Sequence, residues 1–135
     1  MSADRALGEA IRAATMADAA VKAVLGDPVR FYDERPPNAA LPCVTFARFE
    51  SRAADAAANS ALEHLVTLNV WSRQGGRAET LDALAALRAA LHDADLSVEG
   101  RNLVLIQAVF ADAFRAGDGQ TTQGVLRVRA ITEEA

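Results

Sequence analysis

Residues Leu62 to Arg73 alternate most cleanly: Leu62, His64, Val66, Leu68 and Val70 fall on one side, Glu63, Leu65, Thr67, Asn69 and Trp71 on the other. That is the period of a half-buried strand. Cys43 to Arg52 alternates too, with Val44 and Phe46 on one face and Thr45, Ala47 and Phe49 on the other. Thr121 to Thr132 places Leu126, Val128 and Ala130 opposite Val125, Arg127, Arg129 and Ile131. Ser97 to Ala111 holds the unbroken apolar run Leu103-Val104-Leu105-Ile106, which reads as a central strand covered on both faces. A short extended run, Val29 to Asp33, precedes a loop whose three prolines lie between Glu34 and Pro42.

The period changes before this strand set and again within it. Ala6, Leu7, Ala10, Ile11 and Ala14, then Ala20, Val21, Val24 and Leu25, recur at helical spacing from Ala3 to Leu25. A break is expected near Thr15, with Asp18 capping a second short helix and Gly26 followed by Pro28 ending it. Arg77 to Ala94 is the strongest helix, with Leu81, Leu84, Leu87, Arg88 and Leu91 on one stripe and Arg88 at its edge. Gln74-Gly75-Gly76 is a turn, and Asp118-Gly119 marks a hairpin. Ser51 to Ser60 is small and polar, a loop or an alanine-rich helical turn. Glu133-Glu134-Ala135 is expected to fray.

The order of helix, three strands, helix and two strands predicts one α+β domain over residues 1–135. It is a two-layer arrangement: a mostly antiparallel mixed sheet of about four to five strands, with an N-terminal helix and a central helix on one face. Nothing remains to cover the other face. Leu65, Trp71, Val125 and Ile131 are its apolar positions, so another chain is expected there.

Composition refines this picture. The chain is 51% hydrophobic and 24% charged, a soluble globular profile, but much of the apolar share is alanine. The core therefore rests on few large side chains, and help from neighbouring subunits is expected. A net charge of −4 argues against electrostatic gripping of nucleic acid. The basic residues are arginines apart from Lys22, which reads as coding bias. No segment reaches the length of a membrane span, and the start of the chain lacks a secretory core. The expected location is the cytosol, unless the chain leaves it inside an assembly.

Candidate chemistry is sparse. His64 lies on an alternating strand and His92 near a helix C-terminus, and both read as structural; neither has a partner at metal-ligand spacing. Cys43, the one cysteine, follows Pro42 at a strand start and reads as a small apolar residue. No Gly-x-Ser-x-Gly turn presents a nucleophile. Gly75-Gly76 lacks both the dinucleotide and the P-loop spacing. Glu133 and Glu134 with the scattered aspartates form no metal box. No catalytic residue, cofactor or metal is assigned, and no enzyme activity is expected.

Several short motifs occur in a telling order: Leu25-Gly26, Val29, Tyr32-Asp33, Pro36-Pro37 and Leu41-Pro42, then Val70-Trp71-Ser72-Arg73. The Gly-Gly-Arg-Ala-Glu turn, the helix end Leu87 to Leu91, Phe114-Arg115, Asp118-Gly119 and Gly124 to Glu133 follow. Nearly end to end, this series resembles the tail-terminator, or tail-completion, proteins of long-tailed phages and gene transfer agents, a group related to the lambda minor tail protein U. Ser51 to Ser60 departs from the pattern.

The resemblance implies a subunit of a homo-hexameric ring. Such a ring sits on the last disc of tail tube protein, stops polymerisation, and presents a surface to the head-side connector or stopper protein. DNA passes through it without specific binding. The candidate assembly residues are Ser51, Arg52, Asp55 and Asn59 in the first loop, and Phe114, Arg115 and Asp118 around the hairpin. Trp71, Arg127 and Arg129 are the candidates on the sheet. Two other readings fit the same elements: another head–tail connector or stopper ring, and a cytosolic α+β dimer binding a small ligand.

Overall fold

The computed structural model describes residues 1–54 and 60–135; Asp55 and Asn59 lie outside the described residues. Helix α1 (Ala3–Ala17) begins at Ser2, whose side chain accepts from the Arg5 N–H at 3.1 Å. It ends at Asp18, which caps α2 (Ala19–Leu25) by accepting from the Val21 N–H at 3.0 Å. The break expected near Thr15 thus falls three residues on, at Asp18, the residue expected to cap the second helix. Thr15 is still within α1, its buried hydroxyl donating back to the Ile11 and Arg12 carbonyls. Gly26 closes α2 at φ 97°, a conformation that suits glycine alone.

Strand β1 (Phe31–Tyr32) lies parallel to β2 (Cys43–Ala53), paired only through Phe31 with Val44 and Tyr32 with Thr45. β2 is antiparallel to β3 (Leu62–Ser72). Helix α3 (Ala78–Leu91) crosses the sheet to β4 (Arg101–Arg115), which turns back into β5 (Thr122–Glu134). β5 inserts between β3 and β4, giving the order β1-β2-β3-β5-β4. The three helices share one face. Leu7, Ile11, Val21, Leu25, Leu87 and Leu91 are fully buried there against Val66, Leu68, Leu126 and Val128.

Strand order overturns one expectation. β4 is an edge strand, not a central one. Its apolar run has another cause: a bulge between Leu103 and Leu105 makes Val104 an extra residue. A second bulge between Ala108 and Phe110 does the same for Val109. Val104 and Val109 are 53% and 48% exposed.

A bulge also corrects the reading of β2. The register slips between Phe46 and Arg48, so Phe46 opposes Leu68 and Phe49 opposes Val66. Phe49 therefore shares the helix-side face with Phe46, their ring centroids 4.9 Å apart, and does not lie with Thr45. Gly8 of α1 makes room for it: a Cβ there would stand 3.0 Å from the ring.

Three smaller corrections follow. β2 keeps Ser51 and Arg52, as its alternation expects, and adds Ala53, which is not loop. The tail residues Glu133 and Glu134 pair with Asn102 and Arg101 and do not fray. The buried stripe of α3 is Thr80, Ala83, Leu84, Leu87 and Leu91, while Leu81 is 52% exposed and Arg88 faces solvent.

Candidate assembly surface

The face of the sheet away from the helices is built from alternate residues of four strands. Register brings Arg52 beside Glu63, and Glu63 beside Ile131. Further along, Arg48, Thr67, Arg127 and Phe110 form one cross-strand row, and Thr45, Asn69, Val125 and Asp112 another. No helix covers these side chains. Leu65, Trp71, Val125 and Ile131, the apolar positions expected here, are each half-buried.

The face is nevertheless not simply apolar. Glu63 holds two arginines, accepting from Arg52 Nε at 2.6 Å and from Arg129 Nε. These bonds, Arg129's first, hold the Glu63 carboxyl below its ordinary range. Arg127 lies 4.8 Å over the Phe110 ring. Arg48 meets Glu50 at 3.8 Å. Trp71 donates to Thr45 Oγ1 at 3.2 Å beneath the Arg35 guanidinium. Each of these arginines has a partner within the chain.

The candidate assembly residues separate into three places. Arg52, Trp71, Phe114, Arg127 and Arg129 share the open face. Ser51 points to the other side, donating to Asp4 Oδ2 of α1 at 3.0 Å. Arg115 and Asp118 belong to the β4–β5 turn, where the Arg115 guanidinium donates to the Gly119 carbonyl at 2.8 Å. The turn lies at the end of the sheet opposite the β2–β3 connection.

Asp118 organises that turn. Its carboxylate accepts from the Thr121 hydroxyl at 2.6 Å and from the Thr121 and Gln120 amides at 2.8 and 2.9 Å. These bonds bring its pKa down from 3.8 to about 2. Because the folded value is the lower one, its support for the turn is complete above the ordinary carboxylate range and disappears as pH falls through about 2. An NMR titration of the Thr121 amide should therefore show its midpoint near pH 2. Asp118→Asn should abolish that step, and a midpoint near 4 in the native chain would refute the assignment.

The histidines and the cysteine have structural roles. His64 is fully buried; its Nδ1–H donates to Asp4 Oδ1 at 2.7 Å, and its Nε2 accepts from Thr132 Oγ1 at 2.8 Å. Thr132 in turn accepts from Arg101 Nε at 2.9 Å. A carboxylate can only accept, so the contact with Asp4 assigns a ring proton to Nδ1. The acid–histidine–hydroxyl series looks like a nucleophile relay, but neither His64 nor Thr132 has any exposed surface for a substrate to reach. His92 caps α3 and accepts from the Ala108 N–H at 3.1 Å. Burial pushes the Cys43 thiol up, against the pull of Arg35 and Arg30. Among the described residues, no three His, Cys, Asp or Glu side chains converge on a metal position.

The surface missed by pattern reading is at the sheet edges. Val104, Val109 and Phe110 are exposed on β4, and Phe49 near the opposite edge. The two bulges carry the valines outward, and period-two alternation contains no signal for a bulge.

Comparison with known proteins adds three findings. The family model described as Tail completion protein gp17 matches residues 9–133. A solved chain described as "Virion of native gene transfer agent (GTA) particle" superposes with a TM-score of 0.89 at 27% identity, covering 98% of both chains. A comparison with curated proteins finds no match.

Proposed function

Since the chain belongs to the tail completion protein gp17 family, we propose that this structural tail protein is the tail terminator of a phage or gene transfer agent. In this reading six copies form a ring that caps the tail tube, stops its growth and joins it to the head-side connector. The observation that carries the proposal is the match over nearly the whole of both chains to a component of a gene transfer agent virion.

The geometry supports a ring. A cyclic assembly repeats one heterologous contact, so a subunit needs two different complementary surfaces. This sheet ends in two unlike edges, β1–β2 and β4, each with exposed large apolar side chains nearby. A stable contact of this kind buries on the order of 1,000 Å² or more. The β4–β5 turn and the β2–β3 connection lie at opposite ends of the strands. With strands roughly along the ring axis, one end meets the tube and the other the connector.

Passage of DNA requires a wall that does not hold phosphate. The chain carries a net charge of −4, and the open-face arginines are tied to Glu63, Glu50 and the Phe110 ring. Cations already paired displace fewer counterions from DNA. No reaction is assigned to the chain, because the histidine and the hydroxyl of its acid–histidine–hydroxyl series have no exposed surface.

The test uses purified tail tubes. Added protein is expected to leave a six-fold disc at one tube end in negative stain and to hold tube length constant. Tubes that keep growing in its presence would overturn the assignment.

A further inference from the structure

We propose that successive copies of this chain join edge to edge, β4 of one copy running antiparallel beside β2 of the next, with Asp112 opposite Arg48 and Ala111 opposite Phe49. This rests on the ring reading and specifies its seam.

Both edges are open over stretches of similar length. β1 covers β2 only at Val44 and Thr45, so the outer side of Ala47 to Ala53 has no strand partner among the described residues. On β4, the C-terminal end of α3 occupies the middle of the outer edge: the Asp93 N–H donates to the Ile106 carbonyl at 2.9 Å, and the Ala108 N–H to His92 Nδ1. Val109 to Arg115 are left without an outer strand partner among the described residues. Proteins blunt such an edge with lysine, proline or a bulge. This stretch has the bulge at Val109 but no lysine or proline, and Val109 and Phe110 stand exposed along it.

Strand direction fixes the orientation. β2 and β5 run one way, β3 and β4 the other. Rotation about an axis near the strand direction preserves these senses, so β4 meets the next β2 antiparallel, the hairpin-like arrangement. A two-fold contact of β4 with itself would stop at a dimer.

One register satisfies both faces. On the open face, Asp112 meets Arg48, whose side chain is 70% exposed. Two residues along, Glu50 comes beside Phe110 and the Arg127 guanidinium over it. On the helix side, Ala111 borders a groove of about 200 Å³ between α3 and β4, whose floor is Leu81, Leu84, Ala85 and Ala113 and whose rim carries Arg88 and Asp112. The exposed side of the next copy's Phe49 faces this groove and covers Leu81. Charge pairs and an apolar contact thus fall into place together.

The experiment is charge exchange with cross-linking, read on tail tubes and by native mass spectrometry. Arg48→Glu and Asp112→Arg are each expected to weaken ring formation at least roughly tenfold, and the double exchange to restore it. In a Cys43→Ala background, Arg48→Cys with Asp112→Cys should oxidise to a ladder of covalent oligomers ending at the hexamer. Rings that form normally in both single exchanges, without cross-links, would overturn the seam and leave the ring reading standing. Dimers from Asp112→Cys alone would overturn it in favour of a two-fold contact. A native chain that forms no ring on tubes would overturn the ring reading and the seam with it.

Discussion

Replacing His64 by alanine is expected to remove about 3–5 kcal/mol of stability, one of the largest losses available to a single substitution in this chain. The cost has two parts. A fully buried ring leaves a cavity behind it. The hydroxyl of Thr132, itself without exposed surface, loses its acceptor, and Asp4 loses one of its two bonds to the sheet, keeping the one from Ser51. For a domain of this size the melting temperature should fall by roughly 10–15 °C. Asp4→Ala should cost far less, because Asp4 is partly solvated and Thr132 keeps its partner. A double-mutant cycle between the two should show a coupling of about 1 kcal/mol or more. A loss below about 1 kcal/mol for His64→Ala would mean that the series from Arg101 to Asp4 contributes little to the fold.

That series shows what alternation discloses and what it conceals. The period of Leu62 to Val70 placed His64 on the inward side among Val66 and Leu68, where the structure has it. Its partners come from 60 and 68 residues away, and only the fold decides that Asp4 and Thr132 arrive at the same ring. The caps at Asp18 and Gly26 were legible because they depend on neighbours in sequence. So was the hairpin at Asp118-Gly119, whose geometry is local.

The edge position of β4 was not legible. Leu103 to Ile106 reads as a strand buried on both faces only if every residue keeps the pleat. With Val104 bulged out, Leu103 opposes Thr132 on the helix side, Leu105 opposes Ile131 on the open side, and the run needs no second layer. Phe49 moved faces for the same reason, one bulge at Ala47 reversing everything beyond it. Among the assembly candidates, Trp71, Arg127 and Arg129 share one surface because alternation governs their strands, whereas Arg52 joins them only because the Ala47 bulge reverses β2 beyond it. Arg48, Glu63, Val109 and Phe110 went unnoticed because bulges and cross-strand pairing govern theirs.

Gly124→Ala is expected to cost about 1–3 kcal/mol although alanine suits a strand better than glycine. Gly124 lies on β5 between Val70 and Ala113 and faces α3. A Cβ added there would stand 2.8 Å from Thr80 Cγ2 and 3.2 Å from both Leu84 methyl groups. Thr80 is β-branched, buried, and in the first turn of the helix, so its methyl has little freedom to turn away. The helix must therefore lift from the sheet. Thr80→Ala alone should be within about 1 kcal/mol of neutral, since it removes a buried hydroxyl that has no hydrogen-bond partner. Combined, the two substitutions should recover about half or more of the Gly124→Ala loss, with the denaturant midpoint in urea as the readout. Strict additivity would show that contact with Thr80 is not what demands glycine. The same lift displaces Leu84 from the groove proposed to receive Phe49 of the next copy. Ring formation by Gly124→Ala should then weaken even at temperatures where the chain remains folded, and Thr80→Ala should restore it in step with stability.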